Sequence, residues 1–178
     1  MQHRINAFSR NVKSLTVKMG LFFVLCAISI SGYSQLTQLP TVEAQKLGGQ
    51  KAPFTSYVLQ GQITVVVFWA TWNSPSKKQL DNIAEIYEDW QDDYNVKLIA
   101  VSTDGPQTGS RVAATVSTKS WEYEVLLDPN GELMQAIGVS SVPYTLIVDQ
   151  NKNIAYRRSG YSEGDEVDVE DKIALLSN

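Results

Sequence analysis

Residues 63–78 read Ile63-Thr64-Val65-Val66-Val67-Phe68-Trp69-Ala70-Thr71-Trp72-Asn73-Ser74-Pro75-Ser76-Lys77-Lys78, and a change of structural period falls inside them. Ile63 to Trp69 is an almost unbroken apolar, β-branched run, the pattern of a central strand buried on both faces. Asn73 or Ser74 then offers a helix cap, and Pro75 suits the first helical position. Beyond it Leu80, Ile83, Ala84, Tyr87 and Trp90 recur at helical spacing and form one apolar face. Lys77, Lys78, Asp81, Glu85, Glu88 and Asp89 supply the polar remainder, and the helix is expected to fade near Asp93.

Working downstream, residues 97–102 predict the next strand, with Leu98-Ile99-Ala100-Val101 at its centre. Asp104-Gly105-Pro106 predicts a turn, residues 112–119 a weaker helix and residues 125–127 a short strand. Asp128-Pro129-Asn130-Gly131 is a strong turn in which Asp128 is expected to hydrogen-bond backbone rather than metal. A short helix over 132–137 ends at Gly138. Strands over 144–148 and 154–158 predict a hairpin around Gln150-Asn151-Lys152-Asn153. Residues 165–176 predict a last helix whose acidic first half suits a helix N-terminus. Upstream, residues 48–61 predict one or two short edge strands, including Thr55-Ser56-Tyr57-Val58-Leu59, and residues 35–47 read as a loose N-terminal leader. Alternating strands and helices with a late hairpin predict an α/β fold: a central mixed β-sheet flanked by helices.

The full sequence has 178 residues, enough for one packed domain, here placed over 48–178. Residues 1–34 differ from the rest. Arg4, Arg10, Lys13 and Lys18 precede an apolar run from Leu21 to Ile30, and Gly32 and Ser34 are small residues just before Gln35. That pattern predicts a secretory signal peptide cleaved before Gln35, hence a periplasmic or cell-envelope location and no membrane insertion after cleavage. An uncleaved N-terminal anchor is the alternative. The sole cysteine, Cys26, and the sole histidine, His3, both lie in this segment. Lipidation of Cys26 would need a small residue before it, where Leu25 stands.

Removing residues 1–34 leaves 11 basic against 19 acidic residues, a formal charge of −8. Such a balance argues against nucleic acid and anionic membrane surfaces. With neither Cys nor His, a transition-metal site is not expected, Ser–His and Cys–His pairs are impossible, and no cofactor is implied.

Several ordered motifs resemble the thioredoxin-like family, in particular its exported TlpA/ResA type, which is related to AhpC/TSA proteins. Residues 68–78 resemble the family's F-W-A-x-W-C-x-P-C-K stretch, and Ala52-Pro53-Phe54 resembles its A-P-x-F entry. Leu127-Asp128-Pro129-Asn130-Gly131 is similar to its D-x-x-G segment. Residues 138–145, Gly-Val-Ser-Ser-Val-Pro-Tyr-Thr, are similar to G-V-x-x-x-P-T, whose proline is cis. The resemblance implies a thioredoxin-like fold across residues 48 to 176.

The departures fall on the chemistry. By the resemblance, Asn73 stands at the nucleophilic cysteine and Ser76 at the resolving one, a CxxC motif degenerated to Asn73-Ser74-Pro75-Ser76. A thiol at a helix N-terminus becomes a thiolate; an amide cannot. Val67 stands where ordinary thioredoxins carry a buried aspartate, and Gln79 where some TlpA/ResA members carry a glutamate. No catalytic residue is therefore assigned.

By the same resemblance, the cis-proline loop faces the helix N-terminus and hydrogen-bonds an extended polypeptide. The implied groove comprises Trp72, Asn73, Ser74, Pro75, Val142, Pro143 and Tyr144. Three functions are open: a non-catalytic module holding a protein or peptide segment in the cell envelope; a thiol–disulfide oxidoreductase-family protein in envelope redox homeostasis acting through partner cysteines; and an accessory structural subunit using its acidic or aromatic surface. Asn73-Ser74-Pro75 also reads simply as a helix start, Trp69 as core, and the acidic residues 163–171 as a solvated helix face.

Overall fold

The computed structural model describes residues 38–178. The expected signal peptide, its cleavage point and Cys26 lie outside the described residues. In chain order the elements are β1 (Glu43–Lys46), β2 (Lys51–Pro53), β3 (Thr64–Trp69), α1 (Ser74–Tyr94), β4 (Lys97–Ser102), α2 (Gly109–Lys119), β5 (Glu124–Leu127), α3 (Glu132–Ile137), β6 (Tyr144–Val148), β7 (Ile154–Ser159) and α4 (Asp165–Ser177).

The strands form one sheet in the order β2-β1-β5-β4-β3-β6-β7. β3, β4 and β5 run parallel, while β6, β7, β1 and β2 each pair antiparallel with their neighbours, so the sheet is mixed. Every residue of β3 is buried, as its β-branched run predicts for a strand covered on both sides. Side chains alternate across a strand. Val65, Val67 and Trp69 therefore meet Leu80, Ile83 and Trp90 of α1, with Val112 of α2 and Val169 and Ile173 of α4 in the same cluster. Val66 and Phe68 point the other way, into a cluster with Phe54, Leu133 and Ile137. The expected α/β architecture with a central mixed sheet flanked by helices is the observed one.

Two expectations need correcting. Residues 43–46 are no loose leader: β1 lies inside the sheet, pairing with β2 on one side and β5 on the other. Gln38 also bridges to Asn153, so the folded unit extends upstream of residue 48. Of β1 only Ala44 is buried, which leaves too little alternation for the strand to announce itself. The run from Thr55 to Leu59 is not a strand but a 3-10 turn over Phe54–Ser56 that plugs Phe54 and Val58 into the core. Smaller differences follow from packing. Ala84 is exposed, whereas Gln79 and Ser76 join the buried face of α1.

Candidate functional site

Three features converge at the C-terminal end of β3. β4 runs parallel to β3 with Trp69 beside Ser102, and β6 runs antiparallel with Phe68 beside Tyr144. The segment leaving β4, the segment entering β6 and the N-terminus of α1 therefore meet at one end of the sheet.

The turn from β3 into α1 is held from below by Asp104. Its carboxyl oxygens accept from Thr71 N at 2.8 Å, Thr71 Oγ1 at 2.5 Å and Ser102 Oγ at 2.9 Å, and Asp104 is only 4% exposed. A buried carboxyl is tolerable only when its oxygens find donors, and here three converge. Sequence reasoning placed Asp104 only in a turn. Its partner Thr71 is 33 residues away, brought near by the parallel pairing of β3 and β4.

Asn73 is the helix cap. Its Oδ1 accepts from Ser76 N at 2.8 Å, satisfying one of the amides that a helix start leaves unpaired. Ser74 is thus the first helical residue and Pro75 the second, one place beyond expectation. The other side of the Asn73 amide reaches across the site: Nδ2 donates to the carbonyl oxygen of Val142 at 3.1 Å. The Val142–Pro143 peptide bond is cis. Pro143 is buried and itself fixed to the residue that follows β7, its carbonyl accepting from Gly160 N at 2.9 Å. Val142 and Tyr144 are half-buried, packed against the Val66 and Phe68 face.

Ser76 is fully buried. Its hydroxyl donates to the Asn73 carbonyl at 2.9 Å and accepts from Ala70 N at 3.4 Å. A carbonyl is no general base, so this hydroxyl is structural rather than an activated nucleophile. One turn further along, buried Gln79 donates from Nε2 to Thr145 Oγ1 at 2.8 Å, while its Oε1 has no partner among the described residues. Thr145 lies beside Val67 across the β3–β6 ladder. Gln79 and Val67, singled out in the sequence, thus share one buried patch behind Ser76.

The outer rim is open. Trp72 is 67% exposed, and Ser74 and Pro75 are exposed beside it. Of the expected groove residues, Asn73 and Val142 are joined directly by a hydrogen bond, and Asn73 also bonds Ser76, the other degenerate active-site position. Trp72, Ser74 and Pro75 form the solvent-facing edge next to them in the chain. Among the described residues there is neither cysteine nor histidine.

The acidic segment keeps the exposed face its sequence suggests at Glu163, Asp168 and Asp171, and it carries three ion pairs. Arg158 of β7 pairs with Asp165 at 2.5 Å and Asp168 at 2.9 Å, and Lys78 of α1 pairs with Glu163 at 2.6 Å. Tyr161 donates to Glu166 and accepts from Asn82. Burial, with Glu166 beside it, pushes the Tyr161 phenol up to about 12.

The AhpC/TSA family profile matches residues 36–157, most of the chain. This chain belongs to the AhpC/TSA family. Its fold is shared with a thioredoxin-like protein from Porphyromonas gingivalis, 38% identical, covering 81% of this chain and 94% of that one with a TM-score of 0.71. Among AhpC/TSA-like relatives, sporulation thiol-disulfide oxidoreductase A of Bacillus subtilis is 26% identical over 102 residues, 57% of this chain and 61% of that protein. Thiol-disulfide oxidoreductase ResA of Bacillus thuringiensis is 24% identical over 123 residues, 69% of this chain and 68% of that protein. The match thus spans roughly two thirds of the length of these relatives. Within this family the chain is ResA-like in sequence and thioredoxin-like in fold, and it carries one cysteine in all. Among the described residues no helix is long and apolar enough to cross a membrane.

Proposed function

We propose that this chain is an exported, non-catalytic binding module that holds an extended segment of a protein partner at the cis-proline loop. The observation that carries the reading is the surface joining Val142 and Pro143 to the N-terminus of α1. The loop is anchored by Pro143 and packed by Val142, and the exposed Trp72 immediately precedes Asn73, whose amide bonds the loop. An exposed indole on a rigid rim is a strong contact residue for a partner. Backbone pairing with an extended segment requires no thiol. The resemblance that assigns Asn73 and Ser76 to the cysteine positions supports the same reading, since the amide and the hydroxyl serve as cap and structural bond.

The names of the relatives favour a second reading, thiol–disulfide exchange through a partner's cysteines. It differs in what the site must do: position two foreign thiols rather than one extended strand. Docking through the acidic surface gains least support, because Asp165, Asp168 and Glu163 already have cationic partners.

The test is a pull-down from cell-envelope extract with wild-type protein and with Val142→Arg and Tyr144→Glu variants that retain the wild-type circular dichroism spectrum. The binding-module reading expects at least one partner captured by wild type and lost from both variants. Retention of every partner would overturn it.

A further inference from the structure

The bond from Asn73 Nδ2 to Val142 O occupies a backbone acceptor that an incoming strand would use. From this we infer that Asn73 is a gate: its amide stands in for the backbone N–H of a partner strand and closes the loop against the helix until that strand displaces it. The inference rests on the binding reading above and specifies how the same site is regulated.

Three observations support the assignment. The contact joins two segments 69 residues apart, so it fixes the loop to α1 rather than repeating a local turn. The two ends of the Asn73 side chain do separate work. Oδ1 caps Ser76 N at 2.8 Å, and Nδ2 reaches the loop at 3.1 Å. The amide carries its acceptor and its donor on separate atoms, so it can hold both partners at once; an aspartate would cap equally well and could not latch. Finally, Asn73 and Val142 are both half-buried, not sealed, so a strand arriving from solvent can reach the bond. Opening exchanges one neutral hydrogen bond for another of the same kind, so the contact is a modest barrier rather than a lock.

Asn73→Asp therefore separates the two roles. The carboxylate keeps the cap and places an oxygen against the Val142 carbonyl, which opens the loop. Asn73→Ser keeps a capping hydroxyl and removes the separate Nδ2 donor that reaches Val142, and guards against effects peculiar to the new charge. The purified full chain and both variants are compared in two measurements. One is the carbonyl carbon NMR shift of Val142; the other is binding to an array of random-sequence decapeptides. The gate predicts that the Val142 carbonyl signal moves in both variants and that array binding rises about tenfold, the effect of removing one competing hydrogen bond. An unchanged Val142 signal overturns the gate, since no latch was released. A shifted signal with array binding equal to a measurable wild-type level overturns the gate while leaving the groove standing. A shifted signal with no array binding by any of the three proteins overturns both.

Discussion

Asn73 Nδ2 lies 3.1 Å from the carbonyl oxygen of Val142, so the cap of α1 also fastens the cis-proline loop. One amide thus serves two segments, its Oδ1 accepting from Ser76 N and its Nδ2 donating to Val142 O. The consequence for stability is direct. Asn73→Ala removes both a cap and a cross-loop bond and should cost about 2 kcal/mol. Asn73→Asp retains the cap and should cost about half of that. Urea unfolding measures both, and equal losses from the two variants would refute the division of labour.

Asp104 carries the loop below. Asp104→Ala strips acceptors from Thr71 N, Thr71 Oγ1 and Ser102 Oγ in a buried place. The expected loss is about 3 kcal/mol. Amide NMR signals of Thr71 and Trp72 should shift, because Thr71 N donates to Asp104 and Trp72 follows it in the chain. A loss under about 1 kcal/mol would contradict its assigned role as an anchor.

The ion pairs of β5 set a pH dependence. Glu124 lies 2.7 Å from Lys97 Nζ and 2.9 Å from Lys46 Nζ. Burial opposes its ionisation, but hydrogen bonds and charge from Lys97 and Lys46 outweigh burial and hold its carboxyl below the ordinary 4.5. A depressed folded pKa means stabilisation that is complete above the unfolded value and lost as pH falls through the folded one. Glu124→Gln should therefore cost about 1 kcal/mol near neutral pH and progressively less below about pH 4. A difference constant from neutral to acid pH, measured by thermal unfolding, would refute the assignment.

Much of this fold was legible. The run from Ile63 to Trp69 gave the central strand, because burial on both faces leaves no polar position to blur the signal. The helix start at Asn73-Ser74-Pro75 was legible because capping is a local chemistry. By contrast β1 was hidden, since a strand with a single buried residue has no pattern to read. The site divided in the same way. Asn73, Ser76, Val142 and Pro143 were marked by the resemblance to the thioredoxin-like family. The clasp of Asp104 on Thr71, the Gln79–Thr145 pair and the Asn73–Val142 bond join segments distant in sequence, and only the sheet register brings them together.

Scaffold geometry can be separated from chemistry by restoring the thiols. In the double variant Asn73→Cys, Ser76→Cys, the two side chains stand one turn apart at a helix N-terminus, the second on the buried face. Peptide mapping under oxidising conditions should find them joined to each other, as disulfide geometry permits for suitably oriented neighbours. Two persistently free thiols would show that the scaffold has drifted from a redox-competent shape.

The central claim is that this AhpC/TSA chain keeps the scaffold and performs no thiol–disulfide exchange with its own side chains. The most direct measurement is dithiothreitol-driven reduction of insulin by purified protein comprising residues 35–178. The account predicts a rate indistinguishable from dithiothreitol alone. Turnover above that background, growing with protein concentration, would contradict it.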